Sequence, residues 1–156
     1  MAHGGSATVF KADVEGAHSS PVSTEQWRVL EASGRDTMVW MQNAEPISLY
    51  CADETDGETF RACEQVFESL LSYKLGGTDV EPGLATGCES SADLTEWTCT
   101  LREDAKFSDG TPVTANDVVT TFAAQWDAAH PLHVGNTGQF EYWTFLFAAF
   151  LNPPPQ

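Results

Sequence analysis

The stretch Lys106-Phe-Ser-Asp-Gly-Thr-Pro-Val-Thr-Ala-Asn-Asp-Val-Val119 decides the fold. Asp109-Gly110 favours a tight turn because glycine adopts positive φ without steric cost, and Pro112 stiffens the chain that follows. Thr114 and Asp117 have the spacing of a capping box, which satisfies unpaired N–H groups at a helix N-terminus. We therefore predict a helix that begins after Thr114. Its apolar stripe consists of Val118, Val119, Phe122 and Trp126, and Val113 would pack on Val118.

The segment before this motif predicts a β-hairpin from Ala85 to Arg102. Its side chains alternate on either side of a turn at residues 91–95, which is the period of a strand. If residues whose numbers sum to 187 face each other across the turn, Cys88 lies opposite Cys99. A disulfide can bridge that separation. Two buried free thiols are the alternative. Zinc is disfavoured because 11, 24 and 10 residues separate successive cysteines, without the close pairs of a zinc site.

Two more elements are predicted further upstream. Residues 37–42 are β-prone and follow Gly34, so we predict a buried strand there. Thr55 and Glu58 match a second capping box, and apolar residues then recur at helical spacing as far as the stop at Gly76-Gly77. These residues are Phe60, Cys63, Val66, Phe67, Leu70 and Leu71. We predict a helix over Asp56 to Tyr73.

The two ends of the chain carry weaker patterns. Residues 1–36 are rich in Gly, Ser, Ala and His, which predicts only a strand at Thr8 to Lys11 and a short helix at Thr24 to Leu30. Beyond a loop over His130 to Gly138, the aromatic segment Phe140 to Leu151 predicts a helix that covers part of a core. Residues 153–156 form a stiff, proline-rich tail. The predicted fold class is α/β, an α+β mixed sheet with covering helices.

Composition and charge exclude several classes of protein. A chain of 156 residues supports one hydrophobic core. With 7 Lys and Arg against 23 Asp and Glu, the net charge of −16 disfavours binding to nucleic acid or to anionic membranes. The apolar run Tyr142 to Leu151 is too short to span a bilayer, and Met1 to Ser6 lack the features of a secretory signal. An even number of cysteines favours an oxidising compartment.

A search for catalytic chemistry finds no specific pattern. Pro131 separates His130 from His133, which indicates a solvated loop, not a helical ligand pair. The pairs Gly4-Gly5 and Gly76-Gly77 lack the lysine of a phosphate-binding loop. The acidic cluster of Asp53, Glu54, Asp56 and Glu58 lacks the spacing of a calcium loop, and a helix N-terminus that favours negative charge explains it. We therefore predict no catalytic residue, no metal and no cofactor.

Several motifs together resemble family 5 of the bacterial extracellular solute-binding proteins, the peptide and nickel receptors of ABC importers. The residues that carry the resemblance are Glu81 to Ala85, Leu94 to Arg102 and Lys106 to Val119, with Asn43 to Leu49 and Glu64 to Leu71 upstream. The resemblance implies that residues 37–152 are part of the first lobe of a type II periplasmic-binding-protein-like fold. Residues 1–36, through Ala2 to Ser6 and Phe10 to Gly16, are similar to the segment that closes the family's chains. This order of blocks is that of a tandem junction or a circular permutation.

The resemblance also implies a ligand-binding loop and a second disulfide. In similar receptors the segment after the opening strand contacts the ligand through free backbone groups. It corresponds here to Ala44, Glu45, Pro46, Ile47 and Ser48. An ordinary crossover loop is the alternative, and Tyr50-Cys51 stand where the family commonly has Asp-Pro. A bridge between Cys51 and Cys63 would pin this loop to the next helix and contribute about 3 kcal/mol.

The implied function is that of the substrate-binding component, as a fragment, of an ABC importer for peptides or similar small solutes. Ligand would be held by lobe closure without a covalent step, the partner would be a membrane permease, and the location would be periplasmic or otherwise extracytoplasmic. Because the second lobe is missing, we expect the isolated chain to bind peptide weakly or not at all. The alternatives are a structural or interaction module derived from such a lobe, and a small hydrolase, for which no catalytic pair is found.

Overall fold

The computed structural model describes residues 7–21 and 25–152, which form three α-helices, a short 3-10 helix and three two-stranded antiparallel sheets. The sheets are formed by β1 (Val14–Glu15) with β2 (Glu31–Ala32), β3 (Leu71–Tyr73) with β4 (Val80–Pro82), and β5 (Ala85–Ser90) with β6 (Trp97–Leu101). The helices are α1 (Gly57–Val66), α2 (Ala115–Trp126) and α3 (Glu141–Phe147), and the 3-10 helix is Trp27–Val29.

The predicted capped helix and hairpin are both confirmed. The Asp117 carboxylate accepts hydrogen bonds from the backbone N–H and the hydroxyl of Thr114, each 2.7 Å long, and α2 begins at the next residue. In the hairpin, Cys88 pairs directly with Cys99. The register shifts once, between Ala85 and Gly87, which is a β-bulge at the end that meets the previous sheet.

The helix predicted over residues 56–73 is wrong in its second half and in its cap. Asp56, not Thr55, is the N-cap, and its carboxylate accepts a 2.8 Å hydrogen bond from the N–H of Thr59. The helix ends at Val66, and Leu71–Tyr73 pairs with Val80–Pro82 across the Gly76-Gly77 turn. Leucines at positions 70 and 71 suit either period, and here strand pairing prevails over the helical spacing.

Two predicted strands are also wrong. Neither Thr8 to Lys11 nor residues 37–42 belong to a strand. A strand requires a neighbour with which to exchange backbone hydrogen bonds, and within the described ranges these segments have none. The short helix predicted at Thr24 to Leu30 is reduced to Trp27–Val29, and Thr24 itself lies outside the described residues, as do the predicted tail 153–156 and Met1 to Ser6.

The aromatic segment near the C-terminus forms a shorter helix than predicted. α3 covers Glu141–Phe147, and Ala148, with φ of 65°, ends it in the left-handed region. Trp143 is buried against Phe122 and Trp126 of α2, with ring centroids 5.3 and 6.1 Å apart, and its indole N–H donates to Gln125. As expected, the segment covers part of a core, while Phe145 on its other face is 84% exposed.

A buried carboxylate attaches the N-terminal residues to α1. Glu25 accepts a 2.8 Å hydrogen bond from the Thr8 hydroxyl and forms a 3.2 Å ion pair with Arg61. Gln65, one turn along α1, donates to the Glu25 carbonyl and accepts from the N–H of Trp27. Burial alone would raise the pKa of Glu25, but the hydrogen bonds and charge of Thr8 and Arg61 lower it below its ordinary value.

The mixed α/β class is confirmed, although the β-structure is divided into separate pairs of strands instead of one shared sheet. Gly83 and Leu84 connect β4 to β5, and the N–H of Leu84 donates to the carbonyl of Ser69, which lies two residues before β3. Among the described residues, no helix combines the length and the apolar character needed to cross a membrane.

Candidate functional site

The predicted ligand loop, residues 44–48, lies directly before α1 and is held by one threonine. Thr59 is 0% exposed, and its hydroxyl accepts a 3.1 Å hydrogen bond from the N–H of Ile47 and donates a 3.2 Å bond to the carbonyl of Ser48. Both bonds are made with the same hydroxyl oxygen. Because Asp56 caps the helix at the N–H of the same threonine, the loop and the first turn of α1 form one unit.

Most residues of the loop are exposed. Ala44, Glu45 and Ile47 are exposed, and Pro46 and Ser48 are half-buried. The backbone N–H and carbonyl of Glu45 form no hydrogen bond with any described residue. Backbone groups that are left free in this way can pair with the main chain of a peptide.

A disulfide closes the loop. Cys51 is joined to Cys63 in the second turn of α1, with Cα atoms 6.2 Å apart. The structure likewise joins Cys88 to Cys99 across the hairpin, with Cα atoms 4.0 Å apart, so both expected pairs are present. The first bridge restrains the segment that Thr59 has already attached, and the second restrains a hairpin distant from it in sequence.

Asp53 lies between the loop and α1 and attaches the chain there to a distant segment. This contact was not predicted from the sequence. The Asp53 carboxylate accepts hydrogen bonds from the N–H groups of Thr137, Gly138 and Phe140, at 2.7, 2.8 and 2.9 Å. The Thr137 hydroxyl adds a fourth bond of 2.9 Å. Burial by itself would raise the pKa of Asp53, but these donors lower it below its ordinary value.

The position of Gly135, which lies against Asp53, leaves no space for a side chain. A Cβ atom at Gly135 would lie 2.3 Å from an Asp53 carboxylate oxygen. Phe140 is 0% exposed and has φ of 43°, a strained value for a residue other than glycine. Its N–H donates to Asp53, so the carboxylate helps to hold this strained backbone in place.

Two expectations about polar residues need correction. Asp53 and Glu54 are buried, so a helix N-terminus that favours negative charge does not account for the whole acidic cluster, and only Asp56 acts as the cap. His133 is half-buried instead of solvated: its ring stacks on Phe140 at 4.2 Å, and its Nδ1 lies 2.8 Å from the Ala124 carbonyl. The signal that could have indicated the Asp53 contact is the sequence Gly135-Asn-Thr-Gly138, since small residues expose backbone N–H groups to an anion.

Part of the chain matches a family of known proteins. The family described as bacterial extracellular solute-binding proteins, family 5 middle, matches residues 79–141. Heme-binding protein A of Haemophilus influenzae is 33% identical over 144 residues, which are 88% of this chain and 26% of that protein. The probable D,D-dipeptide-binding periplasmic protein DdpA of Escherichia coli is 39% identical over 92 residues, 56% of this chain and 18% of that protein.

Solved structures agree in fold. HbpA2 from Haemophilus parasuis superposes with a TM-score of 0.59 and 34% identity, over 66% of this chain and 22% of that chain. OppA of Haemophilus influenzae, in complex with RPPGFSPFR, superposes with a TM-score of 0.57 and 28% identity, over 67% and 19%. The chain thus spans about a quarter or less of the length of these relatives.

Proposed function

Because the chain carries a segment of the bacterial extracellular solute-binding proteins of family 5, we propose that it serves as part of the substrate-binding component of an ABC importer. Its solute would be a peptide or a similar small molecule. Its location would be periplasmic or otherwise extracytoplasmic, where disulfides persist. The two bridges Cys51–Cys63 and Cys88–Cys99 support that location.

The observation that carries this proposal is the partial attachment of the loop at residues 44–48, whose backbone is bonded at some residues and free at another. Thr59 binds the backbone at Ile47 and Ser48, whereas the backbone of Glu45 has no partner in the described part of the chain. A peptide could pair with those backbone groups of Glu45 while the exposed side chain of Ile47 contacts one of its residues. Chains related to this one are described in complex with peptides, including Met-Leu and STSA.

The proposed mechanism is closure of two lobes around the solute, with no covalent step. This chain would supply one wall of the cleft, and a rigid wall reduces the entropy that binding must overcome. The disulfide at Cys51, the Thr59 hydroxyl and the Asp53 carboxylate would provide that rigidity. Delivery to a membrane permease would follow through the complete receptor.

The test is a titration of the ¹⁵N-labelled chain with trialanine, haem and Ni²⁺, since relatives are named for dipeptides, heme and nickel. We expect trialanine to shift the amide signals of residues 44–48 with a Kd weaker than about 100 µM, because only one lobe is present. An Ile47→Asp variant should reduce those shifts, and Val66→Asp, which changes an even more exposed apolar residue on α1, should not. Micromolar binding, or shifts confined to other residues, would contradict the proposal.

The second candidate function is an interaction module that borrows this lobe without binding solute. The observation that favours it is the number of exposed apolar side chains, among which Leu146 is 68% exposed. No shift at residues 44–48 with any of the three solutes would favour this second function.

A further inference from the structure

Phe140 combines a fully buried side chain with a strained backbone. It is 0% exposed, and its φ of 43° lies in the left-handed region, which a residue with a Cβ atom rarely adopts. Such conformations persist only where surrounding contacts hold them in place, and they are concentrated at functional sites. The contacts of the Phe140 ring therefore indicate what this conformation achieves.

Two aromatic rings contact the ring of Phe140. The His133 ring stacks on it with centroids 4.2 Å apart, and the Nδ1 atom of His133 lies 2.8 Å from the carbonyl oxygen of Ala124 in α2. The Tyr50 ring meets it edge to face, with centroids 6.1 Å apart and an interplanar angle of 84°. This geometry is favourable for an aromatic pair. The ring of Phe140 thus connects Tyr50 to α2.

Tyr50 is also joined to the candidate ligand loop. Its N–H donates a 3.1 Å hydrogen bond to the hydroxyl of Ser48, the last residue of the loop. Its carbonyl accepts a 3.2 Å bond from the N–H of Asp53, whose carboxylate accepts from the N–H of Phe140. Tyr50, Asp53 and Phe140 therefore form a closed circuit of contacts next to the loop. This circuit is independent of the bonds that the Thr59 hydroxyl makes with the loop.

The aromatic ring of Tyr50, and not its hydroxyl, makes this connection. The side chain is partly open, since Tyr50 is 41% exposed, and its hydroxyl forms no hydrogen bond with any residue that the structure describes. A tyrosine side chain has only two rotatable dihedral angles, so fixing it costs little entropy. Phenylalanine should therefore replace Tyr50 without loss, whereas an aliphatic side chain cannot reproduce the edge-to-face contact.

We propose that Tyr50 is a positioning residue for solute binding, and that its contact with Phe140 fixes the loop at residues 44–48 before a solute arrives. A loop that is already ordered loses less entropy when it binds, so the contact raises the affinity. Tyr50 acts through the loop and needs no contact with the solute. The inference rests on the function proposed above and adds to it a residue outside the loop.

The first measurement is made without solute, by ¹⁵N relaxation of the loop amides. Tyr50→Leu should lower their order parameters from about 0.85 towards about 0.6, and the values in α2 and the hairpin should not change. Tyr50→Phe should retain the wild-type values because the ring is intact. The matched control is Tyr73→Leu, which changes an equally open tyrosine, 43% exposed on β3, and should leave the loop unchanged.

The second measurement is a trialanine titration of the same four proteins. Tyr50→Leu should weaken the affinity about threefold, which is the size of effect expected for one aromatic pair. Tyr50→Phe and Tyr73→Leu should bind like the wild type. Recovery of both loop order and affinity with phenylalanine separates positioning by the ring from hydrogen bonding by the hydroxyl.

Several results would overturn the proposal. These are loop amides as ordered in Tyr50→Leu as in the wild type, a Tyr50→Phe variant that behaves like Tyr50→Leu, and an effect of Tyr73→Leu equal to that of Tyr50→Leu. A disordered loop with unchanged trialanine affinity would also overturn it. If the wild-type chain does not bind trialanine, the proposed function fails, and loop order measured without solute still decides whether Tyr50 positions the loop.

Discussion

The Asp53 carboxylate accepts a 2.9 Å hydrogen bond from the backbone N–H of Phe140, 87 residues further along the chain. This bond joins the segment between the candidate ligand loop and α1 to the start of α3. The N–H groups of Thr137 and Gly138 donate to the same carboxylate. The loop is therefore fixed by long-range contacts as well as by its own helix. Its geometry depends on residues far from it in sequence.

Removal of the Asp53 carboxylate should destabilise the chain strongly. Asp53→Ala leaves the N–H groups of Thr137, Gly138 and Phe140, of which that of Phe140 is buried, without their acceptor, and the expected loss is about 2–4 kcal/mol of unfolding free energy. Urea denaturation followed by tryptophan fluorescence measures it. Asp79→Ala is the control, since that exposed side chain forms only a 3.8 Å surface ion pair and should cost less than about 1 kcal/mol. Equal losses would contradict the role assigned to Asp53.

Stability should fall on acidification, with Asp53 and Glu25 among the causes. The pKa of each is lowered in the folded state, so the unfolded chain takes up protons first as pH falls. The stabilisation is present above about pH 5 and is lost as pH falls through the folded-state pKa values. Urea midpoints measured from neutral pH downward should show this decline.

The matched variant for this prediction is Asp53→Asn. It should be less stable at neutral pH but lose less stability on acidification, because its amide does not titrate. The pH dependence should be reduced and not abolished, since hydrogen bonds from Thr111 and Thr114 also lower the pKa values of Asp109 and Asp117. Parallel curves for the two proteins would refute the contribution of Asp53.

Local signals predicted part of this fold well. The capping box at Thr114 and the facing pair Cys88 and Cys99 depend on neighbours in sequence or across one turn, and both are present. The predicted elements that proved wrong depend on pairing partners in other parts of the chain. Residues 37–42 have the composition of a strand but no paired neighbour among residues 7–21 and 25–152, and Leu71 joins a strand because residues 80–82 are available to pair with it.

The same distinction applies to the candidate site. The resemblance indicated the loop at residues 44–48 and the bridge from Cys51, and whether that loop binds solute stays a prediction. The buried hydroxyl of Thr59 and the contacts of Asp53 could not be predicted from spacing, because their partners are backbone groups whose positions only the folded chain defines.

The disulfide between Cys51 and Cys63 should stabilise the chain by about 3 kcal/mol, because it closes a loop of about a dozen residues in the unfolded state. The double variant Cys51→Ser with Cys63→Ser should show this loss in urea. Amide exchange should also increase at residues 44–52, while the hairpin stays protected. Cys88→Ser with Cys99→Ser is the matched control: its loop has nearly the same length, and it should increase exchange in the hairpin only. Peptide mapping without reductant that recovers other cysteine pairs would contradict both expectations.

The turn between β4 and β5 should tolerate only glycine. A Cβ atom at Gly83 would lie 2.4 Å from the carbonyl oxygen of Ser69, and that backbone is fixed by the hydrogen bond that Leu84 N–H donates to the same oxygen. Gly83→Ala should therefore cost at least about 2 kcal/mol, since the neighbouring backbone would have to move. Gly87→Ala, four residues later in β5, is the matched control, because nothing lies within 4 Å of its Cβ position. It should be neutral or slightly stabilising through the lower entropy of the unfolded chain. If urea midpoints rank the two variants in the opposite order, the close approach of the Ser69 backbone to this turn is wrong.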